Sequence, residues 1–175
     1  MSLLPVRVYP DPILNQMSED VIVTPENRAE LETLIQDMTE TMKANNGMGL
    51  SAVQVGVLKR ILTATFNKKD FYMLNPVLLD TSERDAKGLE GCLSFPKLVA
   101  EIARPDWCVV QYETLDGETK EERYRDYDAR CIIHEIDHMN GEVFIDRMEE
   151  HKRFFLKGAL QSMKTRYEQE HPTGV

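Results

Sequence analysis

Apolar side chains recur every three to four residues in 31–42, at Leu31, Leu34, Ile35, Met38 and Met42, which predicts an amphipathic helix. Thr24 is placed to cap it, Pro25 suits its first turn, and Asn45-Asn46-Gly47 supplies the stop. Before it, residues 6–17 read as irregular, because Tyr9-Pro10-Asp11-Pro12 forbids a regular helix. After it the pattern turns to strands over 61–66, 72–79 and 107–114, with Asp116-Gly117 as a hairpin turn into 121–124. Ile132, Ile133, Ile136 and Met139 then mark a largely buried helix, capped by Asp126 or Asp128 and ended by Asn140-Gly141. Phe155, Leu156, Ala159, Leu160 and Met163 form the apolar stripe of a last helix. The order predicts an α+β fold, with antiparallel β-sheets packed around the helix that holds residues 134–138, an N-terminal helix and a C-terminal helix.

At 175 residues the chain suits one catalytic domain, 1–175, of which 147–175 is a C-terminal helix and short tail. The net charge of −9 opposes a phosphate backbone, so direct binding of free nucleic acid is not expected. Residues 147–166 depart from that average: Arg147, Lys152, Arg153, Lys157, Lys164 and Arg166 face only Glu149 and Glu150, either a solvated helix face or a docking surface. No apolar run approaches the roughly 18 residues of a membrane span, and the first residues lack the segments of a signal peptide. Cys92, Cys108 and Cys131 are odd in number and widely spaced, which suits a reducing compartment. Both features lead us to expect a cytoplasmic protein that does not engage a membrane.

The chemistry concentrates in His134-Glu135-Ile136-Asp137-His138, an H-E-x-x-H pattern. On a helix, positions four apart share a face, so both imidazoles can reach one metal ion with Glu135 beside it. A histidine pair on an amphipathic helix is often only a surface or satisfied core pair. Here the isoleucines imply burial, and two buried imidazoles with a carboxylate need a partner to offset desolvation. A third ligand is required, and Cys92 within Glu90-Gly91-Cys92-Leu93-Ser94 competes with Cys131, which lies one turn before His134. The glycine context favours Cys92, because Gly91 lets the backbone come close to a metal. A further cluster, Gly47-Met48-Gly49-Leu50-Ser51-Ala52-Val53-Gln54, reads either as a flexible turn or as part of a site.

Taken together, G-x-G-L-S-A-x-Q, E-G-C-L-S and H-E-x-D-H-x-x-G closely resemble the three signature motifs of peptide deformylases. The likeness extends from the flank at residues 8–14 through Arg104-Pro105 to about Met148. It implies hydrolytic removal of the formyl group from the N-terminal formylmethionine of new polypeptides. It also implies metal ligation by Cys92, His134 and His138, acid/base work by Glu135, and stabilisation of the reacting oxygen by Gln54 and the N–H of Leu93. Three protein ligands leave a fourth position for the attacking water, whose pKa a divalent metal can lower towards about 7. The implied native ion is iron(II), with zinc, nickel or cobalt as substitutes that a sulfur and two nitrogens also accept.

Gly47 and Gly49 offer a strand edge on which an extended peptide can pair. Met48, Tyr127, Arg130 and Cys131, with Gly91, are candidates for the substrate pocket, Arg130 through its aliphatic stem. The implied partners are formylmethionyl nascent peptides and, through the basic last helix, the ribosome. The chain departs from the family at Ile133, where glutamine is common, and at Ser51, where alanine is usual. Ile133 puts a hydrogen bond behind the ligands in doubt. Glu90 and Arg104 are placed to form an ion pair under Cys92, Asp137 to orient a histidine or cap backbone, and His151 and His171 to sit on the surface. Two other readings are a zinc peptidase, for which no downstream ligand motif is present, and a noncatalytic binding module, against which Glu135 and Gln54 argue.

Overall fold

Strand pairing in this chain is entirely antiparallel within two separate sheets, as a computed structural model describing residues 2–172 shows. Seven strands, β1 Gly49–Ser51, β2 Ile61–Phe66, β3 Lys69–Thr81, β4 Asp85–Cys92, β5 Phe95–Pro105, β6 Trp107–Glu113 and β7 Thr119–Arg125, are joined by helices α1 Arg28–Ala44, α2 Asp126–Met139, α3 Glu150–Phe154 and α4 Lys157–Glu170. The larger sheet has the order β1-β2-β3-β6-β7, and β4 pairs only with β5. The α+β class read from the chain is the observed one.

The alternation of side chains explains why the larger sheet carries a helix on each face. Ile61 and Leu74 are register partners and pack with Leu31, Ile35, Met38 and Met42 of α1. Their neighbours Leu62 and Met73, also partners, point the other way and pack with Ile132, Ile133, Ile136 and Met139 of α2. A third cluster joins Phe95, Leu98, Ala100 and Ile102 of β5 to Leu14 and to Val143, Phe144 and Ile145 beyond α2. The helix that bears H-E-x-x-H therefore lies between the larger sheet and the β4–β5 pair. Within β3 the register shifts near Pro76, which lacks a ladder donor, and Asn75 at φ +50 turns its amide to both backbone groups of Val21.

Several expectations need correction at element ends. Regular α1 begins at Arg28, but the turn before it is closed by Thr24 and Asn27, each side-chain oxygen accepting from the other's backbone N–H. Neither Asp126 nor Asp128 caps α2; Arg125 occupies the cap position without a side-chain bond, and Asp126, at φ +52, donates its N–H to Asp106 O. Gly141 does end α2, at φ +75. The C-terminal helix of 147–175 is two helices, α3 and α4, with a break at Phe155 and Leu156, and residues 173–175 lie outside the described residues. Leu156, Leu160 and Met163 pack on the third cluster, whereas Phe155 is 82% exposed and contributes nothing to it. The hairpin of β4 and β5 was absent from the expected elements altogether.

Candidate metal centre

Helical periodicity in α2 turns His134, Glu135 and His138 away from the apolar stripe formed by Ile132, Ile133, Ile136 and Met139. Across from them, the register of the hairpin shifts between Gly91 and Cys92, at the turn that joins β4 to β5. That irregularity brings Cys92 Sγ to 3.2 Å from His138 Nε2. One donor atom from each of Cys92, His134 and His138 lies within 4.8 Å of the others, and this is the group of that kind among the described residues. Cys131, the competing thiol, instead faces Gly49: a methyl group on Gly49 would meet Cys131 Sγ at 2.6 Å and Glu135 Oε1 at 2.7 Å.

The donor set fits a tetrahedral cation. Bonds of about 2.0–2.3 Å from such an ion separate its ligand atoms by roughly 3.3–3.6 Å, close to the thiol–imidazole spacing seen. The charge balance fits as well. Burial disfavours a charged His134, but hydrogen bonds with Cys92 and Glu90 outweigh it and push its pKa up to about 10. His138 goes the opposite way, well below the usual imidazole value, through burial and then the neighbouring charges of His134 and Arg104. His134 Nδ1 is 3.0 Å from Glu90 Oε2, which leaves its Nε2 facing the cluster, the arrangement that orients metal-ligating histidines.

Behind the donors is a buried ionic network. Arg104 is fully buried and donates to both oxygens of Glu90, at 2.6 and 2.9 Å, and to Asp137 Oδ2 at 2.6 Å. The expected Glu90–Arg104 pair is present. Asp137 neither touches a histidine nor caps backbone with its side chain; its partners are Arg104 and Arg147. Burial works against ionised Glu90, yet hydrogen bonds from His134 and Arg104 bring its pKa down to about 2. Ile133 is 2% exposed and lies in the apolar cluster on the sheet side of α2, so its side chain faces away from the donors.

A cleft of ≈ 390 Å³ opens onto these groups. Glu135 lines it, and burial pushes its carboxyl up to about 7; one of its oxygens, Oε2, is buried without a hydrogen-bond partner. Gln54 also reaches the cleft, with Nε2 3.2 Å from Ser94 Oγ and 3.5 Å from Cys92 Sγ. Leu93, Gly47, Met48, Gly49 and Gly91 contribute to the walls, as do Tyr127, Arg130 and Cys131. The reasons differ from those expected in three cases. Gly49 leaves room for Cys131 and Glu135 of α2, while a methyl group on Gly91 would meet only ordinary contacts, at 3.8 Å. Arg130 spends its guanidinium on Glu90 Oε1, Ile102 O and Ala86 O, and clamps the hairpin to α2. Leu89 and Val99, 65% and 56% exposed, line the cleft from β4 and β5 and were not anticipated. His151 and His171 are exposed and away from the cleft.

Comparison with known proteins identifies relatives of nearly the whole chain. The model of the polypeptide deformylase family matches residues 3–154. The peptide deformylase of Maricaulis maris is 39% identical over 169 residues, covering 94% of this chain and 94% of its own. The crystal structure of the Ehrlichia chaffeensis peptide deformylase in complex with actinonin superposes with a TM-score of 0.83 at 37% identity, covering 99% of this chain and 100% of that one. A plant peptide deformylase structure gives 0.91 at 29% identity, over 98% and 94% of the two chains. With the motifs, the fold and the match over residues 3–154 in agreement, the chain belongs to the polypeptide deformylase family, hydrolases that take the formyl group from an N-terminal formylmethionine and release formate.

Proposed function

We propose that deformylation is carried out here by five side chains and one backbone group: Cys92, His134 and His138 hold one divalent metal ion, Glu135 moves protons, and Gln54 with the Leu93 N–H meets the formyl oxygen. The observation that supports it most is the convergence of the three donor atoms within 4.8 Å beside a buried, unpartnered carboxylate oxygen. A divalent ion held there would make hydroxide available at neutral pH and polarise the carbonyl. Glu135, with its carboxyl near neutral, accepts the proton of the attacking water and passes it to the methionine nitrogen as the C–N bond breaks and formate leaves. Negative charge that builds on the formyl oxygen is met by Gln54 Nε2, an uncharged donor that leaves the nucleophile active. Iron(II) is the proposed native ion, with zinc, nickel or cobalt able to take its place.

The substrate backbone is proposed to lie extended against β1, an edge strand that begins at Gly49, with its methionine side chain among Met48, Tyr127, Arg130 and Cys131. Formylmethionyl nascent peptides are the partners, and a thiol ligand suits the reducing cytoplasm in which they emerge. Docking on the ribosome is assigned to α4: among the described residues no ion pair engages Lys157, Lys164 or Arg166, whereas Arg147, Lys152 and Arg153 are paired with acidic residues. Charge reversal at Lys157 and Lys164 then weakens ribosome co-sedimentation, and unchanged binding removes the assignment. No helix of the described residues is long and apolar enough to cross a membrane.

The deciding experiment is formate release from formyl-Met-Ala-Ser by protein loaded without oxygen with iron(II), nickel, cobalt or zinc, beside Glu135→Gln. The variant keeps its metal and loses turnover. Full metal content without formate from the unaltered chain would instead make it a binding module.

A further inference from the structure

We propose that Arg147, at the root of the two C-terminal helices, is a positioning residue for His134, acting through Asp137, Arg104 and Glu90. The inference rests on the reading of His134 as a metal ligand. Arg147 closes the short 3-10 turn Phe144–Arg147 and is the outermost member of the chain of charges, with its side chain 33% exposed. Its Nε and Nη2 donate to the two oxygens of Asp137 at 2.5 and 2.6 Å. Asp137 Oδ2 is shared with Arg104 Nη1, Arg104 grips both oxygens of Glu90, and Glu90 Oε2 takes the Nδ1 hydrogen of His134. Glu90, Arg104 and Asp137 have side chains no more than 6% exposed, so losing a charged partner is costly there.

The balance of charges explains why the outermost member matters. Arg104 serves two carboxylates at once, and Arg147 supplies most of what Asp137 needs. Without Arg147, Asp137 is left in the interior with a single partner, and it draws Arg104 away from Glu90. The pull is only partly resisted by Arg130, which holds Glu90 Oε1 at 2.7 Å but does not touch Oε2, the oxygen bonded to His134. The imidazole then loses its fixed direction. Partners behind a ligand commonly matter 10- to 100-fold in metal affinity, and a residue acting through three others belongs at the lower end.

The test uses the full chain loaded with cobalt(II), read by its visible absorption and by competition with a chelator. Arg147→Met raises the metal dissociation constant about ten-fold and shifts the cobalt bands; Arg147→Lys, which keeps the charge and one contact, recovers part of both. Arg153→Met, from the same segment but bonded only to Asp146, leaves both unchanged. A dissociation constant and spectrum for Arg147→Met that match the unaltered chain overturn the proposal. If Arg147→Met does not fold, Arg147→Lys is read by the same two quantities, and identity with the unaltered chain again overturns it. Metal retained with full affinity by His134→Ala overturns the ligand reading itself, which distinguishes the two failures.

Discussion

Ser51 sets the orientation of Gln54: the Ser51 N–H and hydroxyl donate to Gln54 Oε1 at 2.9 and 3.0 Å, which leaves the amide nitrogen facing Ser94 and Cys92. A flipped amide would place an acceptor where the proposed contact with the formyl oxygen requires a donor. Gln54→Ala should lower kcat/KM by 10²- to 10³-fold, the loss of about 2.7–4 kcal/mol of transition-state stabilisation. Ser51→Ala keeps the backbone donor and should cost less than ten-fold. Steady-state formate release with both variants checks the pair, and an equal loss in the two would contradict this division.

Gly49 brings β1 of the larger sheet close against α2. A methyl group there would meet Cys131 Sγ and Glu135 Oε1 below 3.0 Å, so Gly49→Ala must displace the carboxylate. Displacements of about 1 Å can cost on the order of 10²-fold in rate, and we expect a loss of that size in kcat. Combining it with Cys131→Ala, which frees space on one side, should restore part of the activity. Equal activity of the single and double variants would show that the crowding does not act through Cys131.

Alkaline pH should weaken the fold through two groups of the core between the larger sheet and α2. Burial pushes the Cys108 thiol from about 9 up to about 12, and burial together with the Glu122 hydrogen bond pushes Tyr112 from about 10 up to about 12. Both are neutral in the folded chain and ionise more readily when it is unfolded. Their stabilisation is therefore complete below about pH 9 and is lost as pH rises to about 12. The melting temperature should fall across that window, with a shallower fall in Cys108→Ala. A fall of unchanged slope in that variant would remove the thiol from the account.

Gly158 lies in the first turn of α4, and a methyl group there would meet nothing within 4 Å. Gly158→Ala should add about 0.5–1 kcal/mol to stability by restricting the unfolded chain, with kcat/KM unaltered. Denaturant titration measures the gain.

Which parts could be read from the chain follows from the range of the signals. His134, Glu135 and His138 are local, and their helix is marked by isoleucines, so the pattern in sequence is nearly the pattern in space. Strand β2 was legible for the same reason, as four apolar residues between polar flanks. The hairpin was not, because β4 holds Asp85, Lys87, Glu90 and two glycines and reads as a loop. Its partner does carry a signal: Leu98, Ala100, Ile102 and Arg104 are buried at alternate positions. An arginine at the end of such a series breaks the apolar rule and conceals it. Arg104 can be there only because Glu90 and Asp137, from two other elements, converge on it, and that convergence is tertiary information. The same holds for Arg147, which counts as surface charge in the sequence and is spent on the buried Asp137.

The separation of β4 and β5 from the larger sheet divides the cleft into two inheritances. Leu89 and Val99 stand on a ladder whose backbone pairing involves no strand of the other sheet, and their side chains point outward. Replacing either alters what the cleft admits without disturbing a core contact of α2. Substitutions at these outer positions should therefore change the selectivity of the cleft while leaving α2 in place. Glu90 and Cys92, on the same ladder, tie that wall to α2 through Arg130, His134 and His138.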